Sequence, residues 1–131
     1  MDLQSLFNTV SSHLLTQNAK SVDHEFESDS GSAGCAYRGE NGLQCAAGCL
    51  IPDEAYNFDM EGETALSVFK GYSSKLPKDI WNWPNIELIG KLQEIHDHTQ
   101  VSDWPRRLTK LAKEYDLVFI HPQSQGTNHQ P

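Results

Sequence analysis

Residues 35–56 read CAYRGENGLQCAAGCLIPDEAY and carry the strongest local structural signals in the chain. Two short arms flank the segment 39–42, which reads GENG. Asn-Gly at the centre of such a segment favours a tight turn, because both residues can adopt positive φ. The stretch therefore predicts a β-hairpin over 35–51. Its second arm either runs on through Ile51 or turns into a helix after Gly48.

Hydrophobic residues at helical spacing predict about four helices around this hairpin. Asp2 and Ser102 are the expected N-caps of the first and last helices, because their side-chain oxygens can accept free N–H groups of a first turn. A short apolar run at 117–120 predicts an edge strand. Five stretches are candidates for these helices, two of them short: residues 2–17, about 53–58, 64–70, 85–98 and about 103–115.

Together these elements predict a small α+β protein with a single domain over residues 1–120. Four acids followed by Gly and Ser predict a solvated acidic loop at about 20–34. Residues 121–131, rich in Pro, Gln, Ser and Asn, have nothing to bury and are expected to be a disordered tail.

The periodic apolar positions also predict the core. Trp83 is expected to fill it from the irregular stretch 71–84, together with Trp81 and Ile80. The other predicted core residues are Leu6, Phe7, Val10, Tyr37, Cys45, Leu50, Ile51, Ile89, Leu92, Trp104, Leu108 and Leu111.

The amino-acid composition limits which cellular compartment and which class of partner are expected. The 131 residues include 18 acids against 10 Lys and Arg, for a net charge of −8. This excess argues against direct nucleic-acid binding, which requires a basic face. No apolar run approaches the roughly 20 residues that span a bilayer, and the N-terminus lacks signal-peptide features. Three cysteines without a signal favour reduced thiols, so we expect a cytoplasmic protein with no membrane partner.

Negative charge is concentrated in residues 1–63, which contain 11 acids and two bases. One interpretation is a set of solvated acidic loops. The other is electrostatic attraction for a protein partner with a basic surface, including mimicry of nucleic-acid phosphate, because complementary fields raise association rates. The candidate partner-binding residues are Asp23, Glu25, Glu27, Asp29, Glu40, Asp59, Glu61 and Glu63.

The three cysteines, spaced C-x9-C-x3-C, raise a second hypothesis, a zinc-stabilised module. Zinc binds thiolates and imidazoles tetrahedrally, and Cys45 and Cys49 form one close pair of the usual kind. Cys35 would lie across the hairpin, and His24 would be the fourth ligand. The alternative is that the thiols pack in the core as small apolar side chains, in which case no cofactor is expected.

A third hypothesis is a cysteine-dependent enzyme, in which Cys45 or Cys49 is the nucleophile and His96 is the base. Such a thiol needs a pKa lowered by a cation or a helix N-terminus. Neither cysteine lies in a local signature of this chemistry, and no phosphate-binding or hydrolase motif is present in the sequence. We therefore assign no catalytic residue from the sequence.

The stretch 35–56 also resembles a group of small uncharacterised phage and bacterial proteins. Their shared core reads C-x-Y-R, followed by G-x-x-C-A-x-G-x-L-I-x-D-E-x-Y. The resemblance extends to the closing helices at 92–96 and 104–115 and covers most of residues 1–117. It implies no activity. Because phage accessory proteins often inhibit or retune host machinery, it implies an inhibitor or regulator of a host or defence protein, placed in the host cytoplasm.

The leading hypothesis is thus a non-catalytic protein-binding module that acts through its acidic N-terminal half, with its oligomeric state left open. Neutralising Asp23, Glu25, Glu27 and Asp29 together should weaken capture of a basic partner, most strongly at low salt, where charges are least screened. The measurement is the amount of partner retained on the immobilised protein at low and at high salt. Equal retention by wild type and variant at low salt would contradict the hypothesis.

Overall fold

Four α-helices form the framework of the chain in the computed structural model, which describes residues 1–23 and 34–119. The predicted tail at 121–131 and most of the predicted acidic loop at about 20–34 lie outside the described residues. No helix in the described part is long and apolar enough to cross a membrane. The helices are α1 (Leu3–Gln17), α2 (Ala65–Tyr72), α3 (Trp83–His98) and α4 (Trp104–Glu114). Short 3₁₀ turns lie at Glu40–Gly42, Gly48–Leu50, Phe58–Met60 and Val101–Asp103.

Capping residues define where several helices begin and end. Oδ1 of Asp2 accepts the N–H of Ser5 at 2.8 Å, which confirms the predicted cap of α1 and lowers the pKa of Asp2. This helix ends at Asn18, whose left-handed φ of 52° turns the chain away. Side-chain caps also begin α2 and α3. The predicted Ser102 cap is wrong, because α4 follows directly on a 3₁₀ turn and Asp103 occupies its cap position.

The hydrophobic core surrounds α3, which packs against α1, α2 and α4. The indole N–H of the buried Trp104 donates to the carbonyls of Ile95 and Thr99 at 3.1 and 3.2 Å and so fixes α4 to the end of α3. The predicted core is confirmed except at its edge, since Ile80 is only half-buried and Trp83 is 63% exposed. The confirmed residues are Leu6, Phe7, Val10, Tyr37, Cys45, Leu50, Ile51, Trp81, Ile89, Leu92, Trp104, Leu108 and Leu111.

The predicted α+β class and its β-hairpin are wrong, because the described chain consists of helices and irregular segments. Extended pairing in the described residues is limited to β1 (Val22–Asp23) against β2 (Gly34–Cys35) and one bridge between Arg38 and Gln44. The turn at 41–42 is confirmed, since both residues have positive φ, of 61° and 75°. Its arms pair at that single bridge, so no sheet layer forms.

Other local predictions have mixed outcomes. The helices predicted at 64–70 and 85–98 are confirmed with slightly shifted ends. The helix predicted at about 53–58 is wrong, because turns occupy that stretch. The edge strand is also wrong over 117–119, where the N–H of Leu117 bonds instead to the carbonyl of Ala112 at 2.7 Å.

Close backbone contact explains why the arms of the turn do not form a ladder. A Cβ added at Gly48 would lie 2.2 Å from the carbonyl oxygen of Tyr37, so only glycine lets the two segments approach this closely. Side chains then satisfy backbone groups that a neighbouring strand would otherwise satisfy. Gln17 of α1, for example, accepts the N–H of Gln44 at 3.0 Å and donates to its carbonyl at 2.9 Å.

The Glu61 carboxylate holds the first arm of the turn. Its Oε1 accepts the N–H of Tyr37 at 2.8 Å, and its Oε2 accepts the N–H of Arg38 at 3.1 Å. Oε2 also accepts the hydroxyl of Tyr56 at 2.6 Å. The guanidinium of Arg38 lies over the Tyr56 ring, 5.1 Å from its centroid. One carboxylate therefore joins two segments that are separated by more than twenty residues.

Replacing Glu61 with alanine should lower the free energy of unfolding by about 2–3 kcal/mol, because two backbone N–H groups and a hydroxyl lose a charged acceptor. Urea unfolding followed by circular dichroism measures the change. The control is Glu54→Ala, which removes an exposed acid and should change stability by less than about 0.5 kcal/mol. A loss at Glu61 no larger than the control would contradict the role of this carboxylate.

Candidate functional site

A partly buried polar network joins the C-terminal half of α3 to two irregular segments. Oε1 of Gln93 accepts the N–H of Ala47 at 2.8 Å, and its Nε2 donates to Oδ1 of Asp97 at 2.8 Å. The same Oδ1 lies 2.7 Å from Nδ1 of His96. Nε2 of His96 accepts the N–H of Ser21 at 2.9 Å. Gln93 and His96 therefore hold the backbone of two segments outside the α-helices, and Asp97 holds both side chains.

These contacts fix the tautomer of His96. The N–H of Ser21 is a donor, so Nε2 carries the lone pair and Nδ1 carries the proton that is donated to Asp97. The ring is fully buried and stacks on Trp104, with 5.6 Å between the ring centroids. A catalytic base needs a ring nitrogen that substrate can reach, and here both nitrogens bond within the protein. The geometry therefore favours a structural role for this histidine.

Beside this network, a groove of about 670 Å³ lies between α3 and the N-terminal end of α2, and it is also lined by Ala36, Tyr37, Cys45 and residues 62–64. Its lining residues on α3 recur at spacings of three and four from Trp83 to His98, so the helix presents one continuous face along its length. Trp83 is 63% exposed and Leu66 of α2 is 42% exposed. The Trp83 ring meets the buried Phe69 edge-on, with centroids 5.0 Å apart, which fixes its orientation.

Carboxylates outnumber cationic groups in the groove. Glu87 is oriented by Tyr115, whose hydroxyl donates to it from the end of α4. The basic side chains are Lys91 and, when protonated, His98. The acids that line the groove are Glu63, Glu87, Glu94 and Asp97. The groove thus combines an apolar wall with a negative potential.

The predicted partner-binding acids occupy different environments. Glu61 is half-buried and bonds within the chain, whereas Glu63 is exposed and lines the groove. Glu40 and Asp59 are exposed at positions that do not line it. The side chain of Asp23 lies outside the described part of the chain, as do residues Glu25, Glu27 and Asp29.

Cys45 and Cys49 pack as small side chains against the backbone. Sγ of Cys45 accepts the N–H of Gly48 at 3.2 Å, and the Cys49 thiol donates to the carbonyl of Ala46 at 3.1 Å. Burial raises the pKa of both thiols, that of Cys49 to about 12. A raised pKa leaves little thiolate at neutral pH, which is the opposite of what a nucleophile needs.

The zinc hypothesis gains no support from the described residues. Among residues 1–23 and 34–119, no group of three or more His, Cys, Asp and Glu is placed to hold a metal ion. The side chain of Cys35 and residue His24 lie outside this part of the chain. The other two proposed ligands, Cys45 and Cys49, bond to the backbone as described above.

Sequence reasoning missed the groove, although one signal for it was present. At about 100° per residue, Trp83 lies on the side of α3 away from Ile89 and Leu92, the predicted core stripe. The sequence-based prediction places this tryptophan in the irregular stretch 71–84 and so in the core, whereas α3 already begins at Trp83 and the angular position of this residue puts it on the surface. The contribution of α2 could not be read in this way, because the packing of α2 against α3 is a long-range contact.

Comparison with protein-family models, with curated proteins and with solved structures gives no match for this chain. A functional assignment therefore depends on the chemistry of its own described surface. The groove is the place where exposed aromatic and aliphatic side chains meet a set of carboxylates.

Alkylation tests whether the thiols are structural. At about pH 8.5, near the usual pKa of cysteine, iodoacetamide should modify Cys45 and Cys49 at least roughly a hundredfold more slowly in the native protein than in urea. The reason is that burial limits access and suppresses the thiolate. Site-resolved mass spectrometry gives each rate, with the unfolded chain as control. Rapid modification of either thiol in the native protein would contradict a structural role for that cysteine and favour the cysteine-enzyme hypothesis.

Proposed function

We propose that the chain is a non-catalytic protein-binding module whose contact surface is the groove between α2 and α3. The partner presents a basic segment that also carries apolar side chains. Binding of this kind suits an inhibitor or regulator that covers a surface of another protein. The observation that carries the proposal is the exposed, oriented ring of Trp83 in the wall of an acid-lined groove.

Trp83 has the properties of an interface anchor. Its large ring is exposed, whereas Trp81 and Trp104 are buried. Contact with Phe69 already orients the ring, so little side-chain freedom is lost when a partner covers it. Tryptophan is enriched among the residues that dominate binding energy, because burial of its surface against a partner is strongly favourable. Leu66 on the opposite wall adds apolar surface.

The charge of the groove selects the chemistry of the partner. Four carboxylates face one lysine and one histidine, so the complementary side chains are Lys and Arg. A cation placed over the Trp83 ring would gain a further cation–π attraction. An acidic protein surface or a nucleic-acid backbone would be repelled.

This proposal moves the contact surface relative to the sequence-based hypothesis. The sequence places it in the acidic N-terminal half, and Glu63 is the described member of that set that lines the groove. Most of the groove instead comes from α3, in the half of the chain whose net charge is close to zero. The proposed surface is therefore supported by the positions of the carboxylates around the groove, and not by the net charge of either half of the chain.

The test uses a synthetic amphipathic peptide of Leu and Lys, about 15 residues long to match α3 at 1.5 Å per residue. Because the other tryptophans are buried, acrylamide quenching of fluorescence reports on Trp83. The Leu–Lys peptide should shield Trp83, and its affinity should fall as salt is raised. A control peptide with Glu in place of every Lys should not shield it. Equal shielding by both peptides, or none by the Leu–Lys peptide at millimolar concentration, would contradict the proposal.

Charge-neutralising variants locate the contact. Glu63→Gln combined with Glu94→Gln should weaken binding of the Leu–Lys peptide about three- to tenfold at low salt, because two attractive charges are lost. Glu54→Gln combined with Asp59→Asn removes two exposed acids outside the groove and is the matched control. Calorimetric titration should give an affinity for the control pair within about twofold of wild type, since distant charges are screened. Equal losses for the two pairs would argue against the groove.

A further inference from the structure

We infer that the segment bound in the groove is an α-helix whose backbone passes close to Gly90, near the middle of α3. The inference rests on the proposed function and specifies the conformation of the partner segment. Gly90 lines the groove together with Trp83 and Glu94. At about 100° per residue these three positions lie within about 40° of one another, so they share one face of α3.

Gly90 is not required by the packing of the chain itself. A Cβ added there would meet no atom within 4 Å beyond its chain neighbours and the nearby backbone of α3, and its φ is not in the left-handed range. At Gly48, by contrast, an added Cβ would lie 2.2 Å from the carbonyl oxygen of Tyr37. Glycine is nonetheless among the least favourable residues in a helix interior. Gly90 therefore leaves the backbone of α3 bare on the face that lines the groove.

The walls of the groove favour a helix over an extended segment. The groove-lining residues Gly90, Lys91 and Glu94 lie inside α3, where backbone N–H and C=O groups bond within the helix, so this wall offers no row of main-chain partners to an extended peptide. A bound helix satisfies its own backbone and needs only one apolar face. Helix axes approach to about 8–10 Å, depending on the side chains at the crossing, and glycine permits the closest approach.

Carboxylates lie on both sides of Gly90 and indicate the charge of that helix. Glu87 precedes it by three residues and Glu94 follows it by four, so both share its face of α3. Lys91 also lines the groove, but its single positive charge does not cancel the two carboxylates, so this face stays net negative. In an amphipathic helix that crosses α3 at Gly90, the basic residues that flank the apolar stripe would lie next to Glu87 and Glu94. The occupant is therefore a basic amphipathic helix.

Two substitutions test the inference with the Leu–Lys peptide and the whole chain. Gly90→Ala and Gly90→Gln should both raise Tm, by roughly 2–6 °C for alanine, because better helix formers replace glycine. Both should weaken peptide binding, about fivefold for alanine and more than about tenfold for glutamine, because a side chain fills the crossing point. Gly71→Ala is the matched control. Gly71 also lies in a helix with open space around it but outside the groove, so peptide affinity should stay at the wild-type value.

A second measurement reports on the conformation of the peptide. Its circular dichroism should gain helical signal on binding, and a peptide with a central proline should lose affinity, because proline breaks a helix. A peptide that shields Trp83 but binds equally well to both Gly90 variants overturns the inference and leaves the proposed function standing. A Leu–Lys peptide that does not shield Trp83 overturns the proposed function itself.

Discussion

The polar face of α3 is the constraint on which the rest of the described structure depends. Segments 19–23 and 36–51 bring backbone groups against the core that their short pairings leave unsatisfied. Gln93 and His96 accept the N–H groups of Ala47 and Ser21, and Asp97 holds both side chains in place. A buried N–H left without an acceptor costs about 1–3 kcal/mol, a large share of the roughly 5–15 kcal/mol that stabilises a typical domain. The polar side chains of α3 therefore stabilise these two irregular segments in their observed positions.

The helices and the core were predictable because their signals are local. Capping residues and apolar residues at spacings of three and four predict α1, α3 and most of the core without knowledge of any distant contact. The turn at 41–42 was predictable for the same reason. The failure of its two arms to pair as a hairpin was not predictable, because the groups that bond to these arms are remote in sequence. Tyr37 bonds to Glu61, 24 residues away, and Ala47 bonds to Gln93, 46 residues away. Turn chemistry carries no information about such partners.

The groove shows the same limit for a candidate site. Glu61 and Glu63 are the same residue type two positions apart, and composition treats them alike. One is half-buried and holds two backbone N–H groups, while the other is exposed on the groove. The total charge predicts the sign of a complementary partner, but it cannot separate acids that stabilise the fold from acids that remain for binding.

The arrangement of groups around α3 also supports the proposal that the chain binds a partner. The groups with reactive chemistry, the thiols of Cys45 and Cys49 and the imidazole of His96, bond to the backbone or to buried neighbours. The groove side presents Trp83, carboxylates, Lys91 and His98, a combination that suits the attraction and orientation of a partner. Asp97 belongs to both faces, since it lines the groove and accepts from Gln93 and His96. The network that orders the interior therefore also fixes one end of the groove, and a preorganised surface of this kind binds with a smaller loss of conformational entropy.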